Sequence, residues 1–231
     1  MDSTLLMPIA MLQGLWLLQR TPRLPVPSGC AGRIGSRPGA PLRVVGLGDS
    51  IMAGTGVREQ CHSLTACYAQ LLQDRMHRDV EWQVHGHNGA TSAAVLRTVA
   101  PTVPSAHVYL LSVGVNDVTW GVEPARFSRN LQSLVRLLRD KSPRAAILFG
   151  GLPPLECVPA LPWPLRPIMA QRARELQRAA TLVAARNERV WCFDFPPVMP
   201  AEQFASDGFH PAEVACERWA AGLLKLWPPA D

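Results

Sequence analysis

With 231 residues, 48% of them hydrophobic, the chain can bury one sizeable core; that excludes wholesale disorder and suits one α/β domain with a short extension. The net charge is +5, but residues 1–43 hold five arginines against the single acid Asp2, leaving 18 basic and 17 acidic side chains in the rest. So balanced a body lacks the electrostatic footprint of a nucleic-acid binder.

In chain order, the apolar stretch from Leu5 to Leu18 comes first, interrupted by Pro8 and Gly14 and followed by Arg20 and Arg23. It is short for a membrane span and lacks the basic start and small-residue cleavage site of a secretory signal. An apolar segment with an aromatic and flanking arginines suits peripheral contact with a membrane; docking on the body as an extra helix and an atypical signal peptide are the alternatives. A cytoplasmic or peripherally membrane-associated protein is therefore expected over a secreted one. Residues 21–42, rich in Pro, Gly and Arg, read as an irregular linker, so the expected organisation is an N-terminal segment over 1–42 and a domain over 43–231.

From Arg43 the pattern is regular. Strand-like runs are expected at Arg43–Leu47, Glu81–His85, His107–Val113, Ala145–Phe149 and Arg189–Phe193. Helices are expected at His62–Arg78, Thr91–Ala100, Pro124–Lys141, Ile168–Asn187 and Pro211–Leu226. In the third helix Phe127, Leu131, Leu134, Val135 and Leu138 share one face, with arginines around them. Strands alternating with helices predict a parallel sheet covered on both faces. The six cysteines read as thiols, because a chain this large and apolar does not need disulfides. No Cys/His group has zinc spacing, so neither metal nor cofactor is expected.

Such a sheet carries its chemistry beyond the carboxyl ends of its strands. Four short blocks lie there or just before the last helix. Gly48-Asp49-Ser50 follows the first strand and offers a serine nucleophile; it lacks the pattern of a phosphate loop. Asn88-Gly89-Ala90-Thr91 follows the second strand, where a glycine lets a backbone N–H approach a ligand. Gly114-Val115-Asn116-Asp117 follows the third, where an asparagine amide can donate to a developing oxyanion. Asp207-Gly208-Phe209-His210-Pro211 spaces a carboxylate so that it can fix an imidazole tautomer and leave Nε2 free as base. Each block alone could be a turn or a cap; together they have the parts of an acyl-transfer site. The G-x-S-x-G elbow of the α/β-hydrolases is absent.

These blocks, LGDSIMAGTG (47–56), HNGATSA (87–93), SVGVNDV (112–118) and DGFHP (207–211), resemble those of the SGNH hydrolase superfamily, the GDSL-like esterases and lipases, over about Arg43 to Leu226. The resemblance implies a three-layer α/β/α, flavodoxin-like fold with a five-stranded parallel sheet. It also implies metal-independent ester hydrolysis by a Ser50, His210 and Asp207 triad. The oxyanion hole would be made by Ser50, Gly89 and Asn116; Gly86 is the alternative glycine, with Gly89 preferred because Ala90-Thr91 follow it as in the family pattern. The first block reads GDSI rather than GDSL. A thioesterase or a carbohydrate O-deacetylase would use the same triad, and a non-catalytic flavodoxin-like binding module is a competing class. Trp120, and Trp163 in the proline-rich loop Leu152–Leu165, are the candidate substrate-binding residues. With no Arg or Lys cluster at the strand ends, the expected partner is a small to medium uncharged acyl or aryl ester.

Overall fold

The computed structural model describes residues 3–20 and 22–227. Strands β1 (Ala31–Ile34), β2 (Leu42–Gly48), β3 (Val80–Gly86), β4 (Val108–Ser112), β5 (Ala146–Phe149) and β6 (Val190–Cys192) form one sheet in the order β1-β3-β2-β4-β5-β6. Strands β2 to β6 are parallel and are the five expected from the sequence. Their apolar runs exist because both faces are covered. Val45, Leu47, Tyr109, Leu111, Ile147 and Phe149 point into a core shared with α6 (Pro124–Lys141) and α7 (Leu165–Ala185). Val44, Val108, Leu110, Ala146 and Leu148 point the other way, toward α3 (Leu64–Met76) and α8 (Glu213–Leu226). The result is three layers, α/β/α. The face of α6 that the periodicity selects is the one buried.

The sheet has one strand more than expected. β1 arises inside the segment read as an irregular linker and pairs antiparallel with β3, Ala31 opposite Gln83 and Ile34 opposite Val80. Arg33 fastens it: its guanidinium donates to Asp79 Oδ2 at 2.9 Å, while the Arg37 N–H donates to Asp79 Oδ1 at 3.0 Å. A boundary at residue 42 therefore separates a strand from its own sheet and removes these partners of a buried carboxylate.

The apolar N-terminal stretch is helix α1 (Ser3–Arg20), and it packs on α7. Ala10 is buried in the α6/α7 core and Leu17 packs against it. Gln13 accepts from the Leu165 N–H at 3.2 Å and donates to the Trp163 carbonyl at 2.7 Å. Ile9, Leu12 and Trp16 face outward, with the Arg20 guanidinium over the Trp16 ring. The side chains of residues 3–7, 11, 15, 18 and 19 lie outside the described residues. Among the described residues no helix is long and apolar enough to cross a membrane.

The expected helix over 91–100 is broken. A three-residue turn, α4 (Ser92–Ala94), passes into a π turn over Val95–Val99 and a 3-10 turn over Ala100–Thr102, where Pro101 cannot supply the N–H that a regular helix needs. The last helix starts at Glu213 rather than Pro211, because Pro211 is held in a bridge to Phe204. All six cysteines are free thiols.

Candidate active site

The strand order reverses between β2 and β4, since the chain leaves β2 toward β3 and returns past it to β4. Ligands bind at such a point, beyond the carboxyl ends of the strands. Ser50 follows β2 there as the first residue of the short helix α2 (Ser50–Ala53), whose cap is Asp49 accepting from the Ile51 N–H at 3.1 Å. Gly48 is required by contact: a Cβ on it would lie 2.0 Å from the Ser112 carbonyl oxygen at the end of β4. Asn116 follows β4 on α5 (Val115–Thr119) and faces Ser50 across the crevice.

The third component arrives from the far end of the chain. Residues 205–212 fold as a tight loop, with Ala205 N–H to His210 carbonyl at 2.8 Å, Gly208 N–H to Ala205 carbonyl at 2.9 Å and Ala212 N–H to Gln203 carbonyl at 2.8 Å. Inside it Asp207 Oδ1 accepts the N–H groups of Phe209 and His210 at 2.9 and 3.0 Å. Its Oδ2 meets His210 Nδ1 at 2.6 Å. A carboxylate at that distance holds the proton on Nδ1 and leaves the Nε2 lone pair as acceptor, and Nε2 lies 3.0 Å from Ser50 Oγ. Burial alone would raise the Asp207 carboxyl, but the bonds from His210 and the two N–H groups hold it below its ordinary value.

The turn at 87–90 completes the rim. His87 N–H binds the Gly48 carbonyl at 3.0 Å, and Asn116 Nδ2 donates to the Ala90 carbonyl at 3.0 Å. Asn116 thus spends one amide hydrogen on the turn and keeps a second. Gly89 has φ +76°, the left-handed conformation that glycine reaches without strain. Among the described residues neither the Ser50 nor the Gly89 N–H has an acceptor. Gly86, the alternative, is packed against helix α2 instead, where a Cβ would lie 2.1 Å from the Ala53 nitrogen.

Ser50 and His210 open into a cavity of about 710 Å³. Trp120 and Trp163 do not line it; they are 71% and 64% exposed on the surface, so neither is a wall of the site. Only part of the proline-rich loop contributes, through Pro153, Leu155 and Val158. The main walls are the segment 193–200 and one face of α8. There Phe193 and Phe195 meet edge to face at 4.9 Å, and Phe195 and Trp219 at 4.7 Å. Two cations absent from the sequence reading, Arg218 and Lys225, also border the cavity. They come from a helix rather than a strand end, and their spacing of seven, two turns of α8, is the signal that could have found them.

Asp49 is a further buried acid beside the site. Its Oδ2 has no hydrogen-bond partner among the described residues, and burial pushes the carboxyl up to about 7, against the Ile51 N–H, the nearby His210 and the Ser112 hydroxyl. A carboxyl raised in the fold destabilises it progressively as pH climbs from the ordinary value to the raised one. Relative to the wild-type chain, Asp49→Asn should therefore gain thermal stability between pH 5 and pH 8. The gap is expected to widen by roughly 5 °C in paired melting curves. A gap independent of pH would mean that Asp49 titrates normally. Away from this cavity, Glu59, Cys61 and His62 bring three potential metal-binding atoms within 4.8 Å of one another, all on exposed side chains.

Residues 47–215 match the sequence model of the GDSL-like lipase/acylhydrolase family. The chain belongs to this family. One relative is a GDSL-like esterase of Mycobacterium tuberculosis, 27% identical in an alignment of 197 positions that covers 78% of this chain and 59% of that protein. The chain thus spans less than two thirds of that relative's length. Among solved structures, a lipase from a goat rumen metagenome superposes with a TM-score of 0.64 at 16% identity, over 80% of this chain and 96% of that one. A carbohydrate esterase family 2 enzyme with its carbohydrate-binding domain, from Corynascus thermopiles, superposes at 0.63 and 14%, over 84% and 67%. At these identities the likeness is one of fold, and it bears out the three-layer α/β/α reading.

Proposed function

We propose that this member of the GDSL-like family is a serine ester hydrolase with Ser50, His210 and Asp207 as its triad. The supporting observation is the continuous relay from Asp207 through His210 to Ser50, at 2.6 and 3.0 Å, at the mouth of an apolar cavity. In this reading Ser50 Oγ attacks the ester carbonyl carbon while His210 Nε2 takes its proton. Asp207 keeps the imidazole oriented and stabilises the imidazolium. The carbonyl oxygen, now an oxyanion, receives the Ser50 and Gly89 N–H groups and the spare Asn116 amide hydrogen. His210 then protonates the leaving alkoxide. Water, deprotonated by the same Nε2, releases the acid from the acyl-enzyme and restores Ser50.

The same groups would cleave a thioester or deacetylate a sugar. The cavity favours an ester with a longer apolar arm, because an acetyl group would leave its aromatic walls unfilled. The test is fluorophosphonate labelling of Ser50 together with p-nitrophenyl esters from acetate to palmitate and an acetylated polysaccharide. Labelling, with the highest kcat/KM at medium chain length, is expected. Binding without labelling or turnover would identify a non-catalytic module, and activity confined to the polysaccharide would identify a deacetylase. Asn116→Ala should lower kcat by roughly 10²–10³ with little change in KM, since its donor matters most when the oxyanion forms. An unchanged kcat would take Asn116 out of the oxyanion hole.

We also propose that the outward face of α1 touches lipid peripherally. Ile9, Leu12 and Trp16 present an apolar strip that ends at Arg20, a pattern suited to an anionic interface. The wild-type chain is expected to sediment with anionic vesicles, and Leu12→Glu/Trp16→Glu to stay in the supernatant with its soluble-ester turnover intact. Equal sedimentation of both would reject this contact.

A further inference from the structure

The cavity continues well past the reacting groups. It follows α8 from Ala215, beside the His210 loop, through Trp219 and Gly222 to Lys225. At about 1.5 Å of rise per residue, Lys225 stands about 15 Å further along the axis than Ala215, the length of an extended arm of about twelve atoms. Gly222 lets the Phe193 ring pack directly on α8 as one wall of this cavity, since a Cβ there would lie 2.4 Å from the ring. The walls are aromatic and aliphatic nearly throughout, yet two of the groups that border it are cations. Arg218 and Lys225, two turns apart on the same helix, have no hydrogen-bond or ion-pair partner among the described residues. A long apolar channel with a nucleophile near one end and unpaired cations along its rim is matched by a molecule with the same order of parts.

Resting on the ester-hydrolase reading, we infer that the substrate is an ester whose apolar arm of about ten to twelve atoms ends in an anionic group, a carboxylate or a phosphate, held at Lys225, with Arg218, about 10 Å nearer the reacting groups along the helix axis, adding to the positive field on the same rim. This replaces the expectation of an uncharged substrate, which rested on the lack of an Arg or Lys cluster at the strand ends. The ester is cleaved by water to acid and alcohol as above, and the distant anion takes no part in the bond changes. Because both cations are exposed, their contribution is one of selection in KM rather than of rate, and it weakens with salt.

The test compares pairs of esters that differ only in the terminal charge. On the acyl side, mono-p-nitrophenyl decanedioate is set against its methyl-capped ester, reading p-nitrophenol release. On the alcohol side, 10-acetoxydecanoate is set against its methyl ester, reading acetate release. The 10-acetoxydecyl phosphate separates phosphate from carboxylate preference. In at least one pair the anionic member should show a KM about tenfold lower, and that advantage should shrink several-fold in 0.5 M NaCl and disappear in Arg218→Gln/Lys225→Gln. The double variant should hydrolyse the capped ester as the wild type does. Equal KM values within every pair, or a preference that survives the double substitution, would overturn the inference while leaving the hydrolase reading intact. Failure to cleave any of these esters would instead remove the hydrolase reading on which it rests.

Discussion

Ser50→Ala is expected to lower kcat for a p-nitrophenyl ester by about 10⁶, the scale of removing the nucleophile from a serine hydrolase. Fluorophosphonate labelling should be lost with it. The substitution deletes one oxygen from a partly exposed side chain. It leaves the backbone N–H in place, so the proposed oxyanion donors and the cavity survive. Binding of a non-hydrolysable analogue and the melting temperature should therefore stay close to wild type. That split is what separates a lost nucleophile from a damaged fold. Turnover within tenfold of the wild type would assign the attacking oxygen to some other group.

Asp207→Asn should be nearly as severe, about 10⁴ in kcat/KM, for a different reason. The retained oxygen of the asparagine can still accept the Phe209 and His210 N–H groups that bind Oδ1 at 2.9 and 3.0 Å, so the loop stays formed. Opposite His210 Nδ1, however, an NH₂ group would replace a carboxylate oxygen. The imidazole would then accept at Nδ1 and carry its proton on Nε2, where it cannot accept the Ser50 hydrogen. Asp207→Glu, which keeps the charge and moves the oxygens, tests geometry separately. If Asp207→Asn keeps more than about a tenth of the wild-type rate, His210 does not depend on this carboxylate for its tautomer.

The parallel part of the sheet was legible because its strands are buried on both faces, so each is an uninterrupted apolar run between helices of clear period. The four blocks were legible for a related reason. Three of them sit at the ends of those strands, where a run of Gly, Asp, Asn and Ser contrasts with the apolar sequence before it, and the fourth stands just before the last helix, where the spacing of Asp207 and His210 marks it. β1 was not legible. Its four residues, Ala-Gly-Arg-Ile, are half exposed and show no strand period, and what holds them is an ion pair between Arg33 and Asp79, 46 positions apart. The docking of α1 was equally hidden, since it depends on Gln13 meeting the backbone at 163 and 165. Trp120 and Trp163 misled for a physical reason. Tryptophan in a loop after a strand suggests a wall of the site, but the aromatic walls come from 193–195 and from Trp219, which only the closing of α8 onto the sheet brings to the nucleophile.

The antiparallel strand at one side of the sheet changes the border that the sheet presents to other chains. Without it, the seven residues of β3 would form an outer border with a long row of unpaired N–H and C=O groups, a template on which another chain could grow a cross-molecular sheet. β1 takes that border and shortens it to four residues, one of them the charged and partly exposed Arg33. The opposite border, β6, is three residues long. Both margins are thus short, which is one way in which sheets blunt edge-to-edge pairing.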